Sequence, residues 1–365
     1  MTKQTYAPGT HPSMPPPSST VGPIHWLRIN LFSSPINSIV TLIAMYCLYL
    51  AVPSAINWLF IDATYVGVTR KDCAPNGACL AFIGERFNLF VYGFYPAELR
   101  WRVNLAAVLL VVAGAAVLWD KIPARKHMLK FALAYPIIAA WLLSGGLGLE
   151  PVGTHLFGGL MLTLTIGVTG IVCSLPLGIL LALGRQSNLP IIKYFCVAFI
   201  EFIRGVPLIT LLFVASTMLS YFLPPGTTFD LLFRVLIMVT LFASAYMAEV
   251  IRGGLQGLPR GQLEAADSLG LNYGQAMRLI ILPQALKISI PGIVNTFIGL
   301  YKDSTLVIVI GLLDPLGIGR ASVADTAWLG LSTEVYLFVA IFFFISCFGM
   351  ARYSLYLENK LNTGH

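Results

Sequence analysis

The chain alternates between long apolar runs and short charged stretches. Between Arg28 and Asp62 lie 33 residues without a charge; Arg102 and Asp120 enclose 17, Lys130 and Glu150 enclose 19, and His155 and Arg185 enclose 29. Further apolar runs cover about 192–222, 231–251, 286–313 and 335–352. A membrane-crossing helix takes about 20 residues, so the pattern predicts eight spans, the first near 38–60. No run alternates with period two over the roughly 10 residues of a barrel strand. The predicted fold class is all-α integral membrane, with about eight transmembrane helices.

Residues 1–36 break the pattern. They hold seven prolines (Pro8, Pro12, Pro15, Pro16, Pro17, Pro23 and Pro35) and no apolar core behind a basic start, so they do not read as a signal peptide. Such a segment buries too little surface to offset its conformational entropy, and a disordered Pro-rich tail is expected. Residues 37–150 are expected to form a three-helix extension with a long outer loop at 62–101. The remaining five spans fall in 151–365.

Composition then narrows the class. Of 365 residues, 57% are hydrophobic and 11% charged, and the mean hydropathy is +0.80. A soluble domain carries roughly a quarter charged residues, so a soluble enzyme, a secreted disulfide scaffold and a disordered chain are all excluded. The net charge of +7 is scattered between apolar runs, which points to topology rather than to nucleic acid. Lys121, Arg125, Lys126 and Lys130 place loop 120–130 in the cytoplasm. Counting outward, loops 184–191 and 252–285 and both termini are cytoplasmic, and outer loops 150–157 and 223–230 carry no Lys or Arg. Arg100 and Arg102 run against this rule, but a long loop such as 62–101 crosses largely regardless of charge.

Four of the six cysteines (Cys47, Cys173, Cys196 and Cys347) fall within spans. Cys73 and Cys79 flank a Pro75-Asn76-Gly77 turn in the long outer loop, and a disulfide between them is expected in an oxidising compartment. Without histidine or carboxylate spacing they make no metal site, and none is expected elsewhere.

Between the sixth and seventh spans, Gly253, Gly254, Gly257, Pro259 and Gly261 are expected to break the preceding helix. Gln262 to Leu269 reads as a short helix helped by Glu264, Ala265 and Ala266, ended by Gly270. A second short helix is expected over Tyr273 to Ile281, stopped by Pro283. A loop of this length with internal order should dock onto something.

Glu264-Ala265-Ala266, Gly270 three residues after Asp267, and Pro283-Gln284-Ala285 resemble the EAA loop of ATP-binding-cassette (ABC) importer permeases. The segments Glu201 to Phe213, Ala245 to Gln262 and Leu300 to Gly317 resemble the amino-acid uptake branch, the polar and general L-amino-acid permeases. The resemblance covers about 155–355, and the extra spans before it look like the larger membrane subunits of broad-range importers. It implies a type I importer core of five helices, paired with a second, different permease chain and two cytoplasmic ATP-binding subunits. It also implies a periplasmic amino-acid-binding protein, an L-amino acid substrate and the bacterial inner membrane. Gly261, Glu264, Ala265, Ala266, Asp267 and Gly270 would then couple to the ATPase. This chain has no G-x-x-x-x-G-K-[ST] sequence, so it is expected to be non-enzymatic and without cofactor, with ATP and Mg bound on the partner subunit.

Charges inside spans default to function. Glu201 and Arg204, at i and i+3 before Gly205-Val206-Pro207, can pair, and Lys302 and Asp303 form a second such pair. Both pairs are read as structural locks between helices. A substrate pocket is expected from Thr240, Ser244, Met247 or Ala248 on one helical face, with Glu249 at its edge. The seventh span would add Gly292, Asn295, Thr296 and Gly299. With no fixed acid among Thr240, Asn295 and Thr296, such a pocket should take several side-chain types. The same small polar residues would equally serve helix packing. The competing classes are an ion-coupled secondary transporter, which should show an internal repeat, and a membrane-embedded assembly factor.

Overall fold

The computed structural model describes residues 22–119, 122, 124–218, 221, 224, 229–259 and 261–361. They divide into two compact units, one of residues 22–65 and 71–79, the other of 66–70 and 80–361.

The first unit holds α1 (Pro23–Asn30) and α2 (Pro35–Ile56). The expected tail therefore ends earlier than residue 36: residues 22–36 already contain a helix and the start of the first span, while 1–21 lie outside the described residues. Pro23 and Pro35 sit in first turns, where a missing N–H costs nothing, and the Ser34 hydroxyl accepts the Asn37 N–H at 3.2 Å. No residue of α2 is buried within the protein. An apolar helix exposed all round calls for hydrocarbon, not water, as its solvent. Beyond it, Cys73 and Cys79 are disulfide-bonded, with Cα atoms 5.5 Å apart. The Ala78 N–H donates to the Trp58 carbonyl at 2.8 Å and the Thr64 N–H to the Ala78 carbonyl at 2.9 Å, tying the bridged turn to the end of the span.

The second unit runs α3 (Ala81–Glu85), α4 (Phe87–Tyr92), α5 (Arg100–Leu118), α6 (Arg125–Ser144), α7 (Gly159–Arg185), α8 (Pro190–Gly205) and α9 (Leu208–Thr217). It continues with α10 (Leu231–Gln256), α11 (Gly261–Ser268), α12 (Tyr273–Ala276), α13 (Leu282–Asp303), α14 (Pro315–Ser322) and α15 (Ser332–Leu361). No β-strand forms among the described residues. Over both units, seven helical stretches are long and apolar enough to cross a membrane, and α8 with α9 makes an eighth if its halves are one span. The all-α membrane class is thus what the protein adopts.

Three local expectations are corrected. The 192–222 run is not one continuous helix: α8 and α9 meet at 100°. Pro207 has no N–H to continue the helix and forces Val206 into extended backbone, at φ −112° and ψ 132°. The far end of that run lies partly outside the described residues. Pro283 does not stop a helix; it occupies the first turn of α13, and Tyr273–Ile310 continues through a π-turn as one apolar stretch. Gly253 and Gly254 do not break α10, which runs to Gln256.

Close packing explains the last of these. A Cβ on Gly254 would collide with the Ser289 hydroxyl and stand 2.5 Å from the Ala285 carbonyl oxygen, so the glycine lets α10 lie against α13. On α7, Gly170, Ser174, Gly178 and Ala182 form a buried stripe at i+4 spacing. A Cβ on Gly178 would come within 2.6 Å of Met247, and one on Gly170 within 2.9 Å of Leu300. Small residues of this kind let helix backbones approach where lipid gives no hydrophobic drive.

The boundary expected near residue 150 is not a break between compact units. Val103, Ala106, Leu142 and Leu143 of α5 and α6 share one core with Leu162 and Ile166 of α7 and Val235 and Val239 of α10. Tyr135 donates to the Ala106 carbonyl at 3.0 Å, Tyr95 to the Leu143 carbonyl at 2.9 Å, and Arg102 to the Glu150 carbonyl at 2.7 Å. That last bond uses one of the two arginines that ran against the charge rule.

Candidate functional site

A cavity of about 320 Å³ opens between α10 and α13, lined by Phe242, Ala243, Tyr246, Asn295, Thr296, Gly299, Leu300 and Asp303. Asn295, Thr296 and Gly299 were expected there. Asn295, Gly299 and Asp303 follow at i+4 spacing and so share one face of α13. A Cβ on Gly299 would meet nothing within 4 Å, so the middle of that face is open space. The Thr296 hydroxyl donates to the Gly292 carbonyl at 2.9 Å, leaving its oxygen lone pairs toward other groups.

The contribution expected from α10 is corrected. Thr240, Ser244, Met247 and Ala248 are all buried and absent from the cavity lining, and Met247 and Ala248 pack against Gly178 of α7. The face that reaches the cavity is Phe242, Ala243 and Tyr246. Gly292 is also displaced from the pocket, since a Cβ there would stand 2.7 Å from Val250. The signal available in the sequence was the small stripe on α7, whose gaps at Gly170 and Gly178 are filled by Val239, Leu300 and Met247. What the sequence reading missed outright is Asp303, which it assigned to a pair with Lys302. Among the described residues no ion pair joins the two. Successive helical residues point about 100° apart, so neighbours in sequence are poor partners.

Glu201 and Arg204 likewise do not pair with each other. They enter a cluster at the ends of three helices. Glu249 receives Arg185 of α7 at 2.7 Å, Arg252 of its own helix at 2.9 Å and Arg204 of α8 at 3.5 Å. Arg185 also reaches Glu201 at 2.9 Å. Glu249 is therefore the hub of an interhelical network, outside the cavity. The Arg204 guanidinium lies 5.7 Å from the centre of the Tyr246 ring, a cation–π contact that steadies one wall of the cavity.

A second cavity of about 360 Å³, between α5, α6, α7 and α10, is lined almost wholly by apolar side chains such as Val103, Leu110, Ile137 and Leu164. None of its lining residues carries a charge to pair with a zwitterion. Among the described residues no group of His, Cys, Asp and Glu could hold a metal ion.

Between α10 and α13 the chain turns through α11. Its Ala266 is buried, while Gly261, Glu264, Ala265 and Asp267 are exposed. Gly270 takes the left-handed conformation at φ +75°, and its N–H donates to the Asp267 carbonyl at 2.9 Å. The next helix opens on a reciprocal cap. The Asn272 side chain accepts the Gln275 N–H at 2.9 Å, and the Gln275 side chain accepts the Asn272 N–H at 3.0 Å. Leu269 is 76% exposed, and Leu263, Tyr273 and Leu279 are exposed with it. An ordered turn presenting charges, small residues and apolar side chains together has the makeup of a contact surface.

Residues 174–363 match the family model described as binding-protein-dependent transport system inner membrane component. The chain is 50% identical over 357 residues to the inner membrane amino-acid ABC transporter permease protein YhdY of Escherichia coli (strain K12), an alignment covering 97% of each. It is 46% identical over 420 aligned positions to the glutamate/glutamine/aspartate/asparagine transport system permease protein BztC of Rhodobacter capsulatus, covering 96% of each. Among solved structures, the crystal structure of an amino acid ABC transporter with histidines is 31% identical, covers 55% of this chain and 92% of its own, and superposes with a TM-score of 0.49.

Proposed function

The chain belongs to the family of binding-protein-dependent transport system inner membrane components, and on that premise we propose that it is the permease subunit of an ATP-driven L-amino-acid importer. The observation that carries the reading is the correspondence over nearly the whole chain with YhdY and BztC, both named as amino-acid permeases. In this reading a periplasmic binding protein delivers the amino acid, and two cytoplasmic ATPase subunits drive the cycle. A second permease chain completes the membrane part, both termini face the cytoplasm, and ATP and Mg are bound by the partner.

The geometry supports a division of labour. The cavity between α10 and α13 holds the substrate: an amide at Asn295, a hydroxyl oxygen at Thr296 and a carboxylate at Asp303 surround open space at Gly299. The α11 turn, with Glu264, Ala265, Asp267 and Gly270 exposed, is the element on which the ATPase pushes. Because α11 lies in the segment that joins the two helices lining the cavity, a push on it is transmitted through α12 and the π-turn to the walls of the cavity. The Glu249 network holds α7, α8 and α10 together while that happens.

Reconstitution tests the whole assignment. Proteoliposomes containing this chain with its co-purified permease and ATPase subunits should take up L-amino acids only with ATP and binding protein both present. Uptake that follows a proton or sodium gradient without ATP would establish the secondary-transporter reading instead.

A further inference from the structure

Asp303 is the single charged residue among those lining the cavity between α10 and α13. Among the described residues no hydrogen bond or ion pair reaches its carboxylate, and none with Lys302 forms. A carboxylate at membrane depth normally has a partner, because leaving it alone in a low dielectric is costly. Here the Lys302 charge is felt through space without a contact, and the cavity that Asp303 lines has room for a partner. Asn295, Gly299 and Asp303 sit one turn apart in succession, so the amide and the carboxylate stand about 12 Å apart along α13. The missing side chain of Gly299 leaves the gap between them.

We propose that Asp303 binds the α-ammonium group of the transported amino acid, an inference that rests on the cavity being the substrate site. The ammonium is the one cation common to every L-α-amino acid, and its three donors suit a carboxylate with no other partner. The side chain then extends past Gly299 toward Asn295 and Thr296, where an amide and a hydroxyl oxygen impose no charge requirement, while the α-carboxylate, on the same carbon as the ammonium, stays at the Asp303 end. Broad acceptance of side chains follows from this arrangement: the fixed charge reads the invariant end of the substrate, and neutral groups face the variable end.

The test is thiol protection in the intact complex in membranes, without binding protein, so that its selectivity does not intervene. Gly299→Cys places a thiol in the open part of the cavity, and maleimide modification there is read by mass spectrometry. L-Glutamine, L-glutamate and L-lysine should each slow the modification. So should 4-aminobutanamide, which keeps the ammonium and lacks the carboxylate, while glutaramic acid, which lacks the ammonium, should not. Adding Asp303→Asn should raise the half-protecting concentration about tenfold or more for all three amino acids alike. Asp303→Glu should restore part of the protection, and co-purification of the ATPase reports that the variants still assemble. Loss confined to L-lysine would mean that Asp303 reads a side chain, and overturns the proposal. Undiminished protection in Asp303→Asn, or protection by glutaramic acid equal to that by L-glutamine, also overturns it. If no amino acid protects even with Asp303 intact, the cavity is not the substrate site and both readings fall together.

Discussion

Asp314 shows how much a single residue can be asked to carry. It caps α14, its Oδ1 accepting the Gly317 N–H at 2.8 Å, while its Oδ2 is buried with no hydrogen-bond partner. Burial pushes its pKa up from the usual carboxylate value to about 6. An acid whose folded pKa is raised binds protons more tightly when folded. Folding is therefore penalised as pH rises from the unfolded value near 3.8 through about 6. The penalty is absent below that window and complete above it, at no more than about 3 kcal/mol. Asp314→Asn keeps the cap and removes the ionisation. Its thermal midpoint relative to the unsubstituted protein should rise between about pH 4 and pH 6 and stay level to pH 8. A difference that is flat across that range would show that the carboxyl titrates normally.

At the scale of elements, the glycines of α10 separate two roles that look alike in sequence. Gly254 faces α13, where any Cβ meets Ser289 and the Ala285 carbonyl, and adjacent Gly253 is exposed with nothing near. Gly254→Leu must push the helices apart, an overpacking cost of about 1–3 kcal/mol or more. Gly253→Leu keeps the contact and gains helix propensity, so its cost should be near zero. Thermal unfolding of the two variants in detergent compares them directly. Equal midpoints would mean that α10 and α13 are not held at the distance the structure shows. The break between α8 and α9 follows from a similarly local cause, since a helix that meets Pro207 after Gly205 has neither the donor nor the backbone angles to continue.

For the whole molecule, the proposed function requires that a turn outside the cavity move its walls. Gly270→Asp tests that connection. Aspartate is among the residues that tolerate left-handed backbone best, and a Cβ at Gly270 meets nothing within 4 Å, so the variant should fold and insert. The new charge stands beside exposed Glu264 and Asp267 on the presented surface. ATP-dependent uptake should be lost while the abundance of the chain in the membrane is unchanged. Unimpaired uptake at that abundance would refute a coupling role for the turn.

The one-dimensional pattern determined the class of fold. Long apolar runs bounded by charges can only be buried in lipid as helices, because every backbone polar group must then be satisfied within its own segment. It also determined the end of α11 at Gly270 and the pairing of Cys73 with Cys79, since each depends on residues near one another in the chain. What only the tertiary structure decided was which face of each helix meets which neighbour. Thr240, Ser244, Met247 and Ala248 had the right chemistry for a pocket, but all four are buried in packing, Met247 and Ala248 against Gly178 of α7. Glu201, Arg204 and Glu249 looked like separate charges until three helix ends brought them together. Asp303 looked paired with Lys302 until α13 turned it toward a cavity. Helical periodicity shows which residues share a face and leaves open what that face meets. Contacts between elements far apart in the chain fix that orientation, because they depend on the shapes of both helices at once.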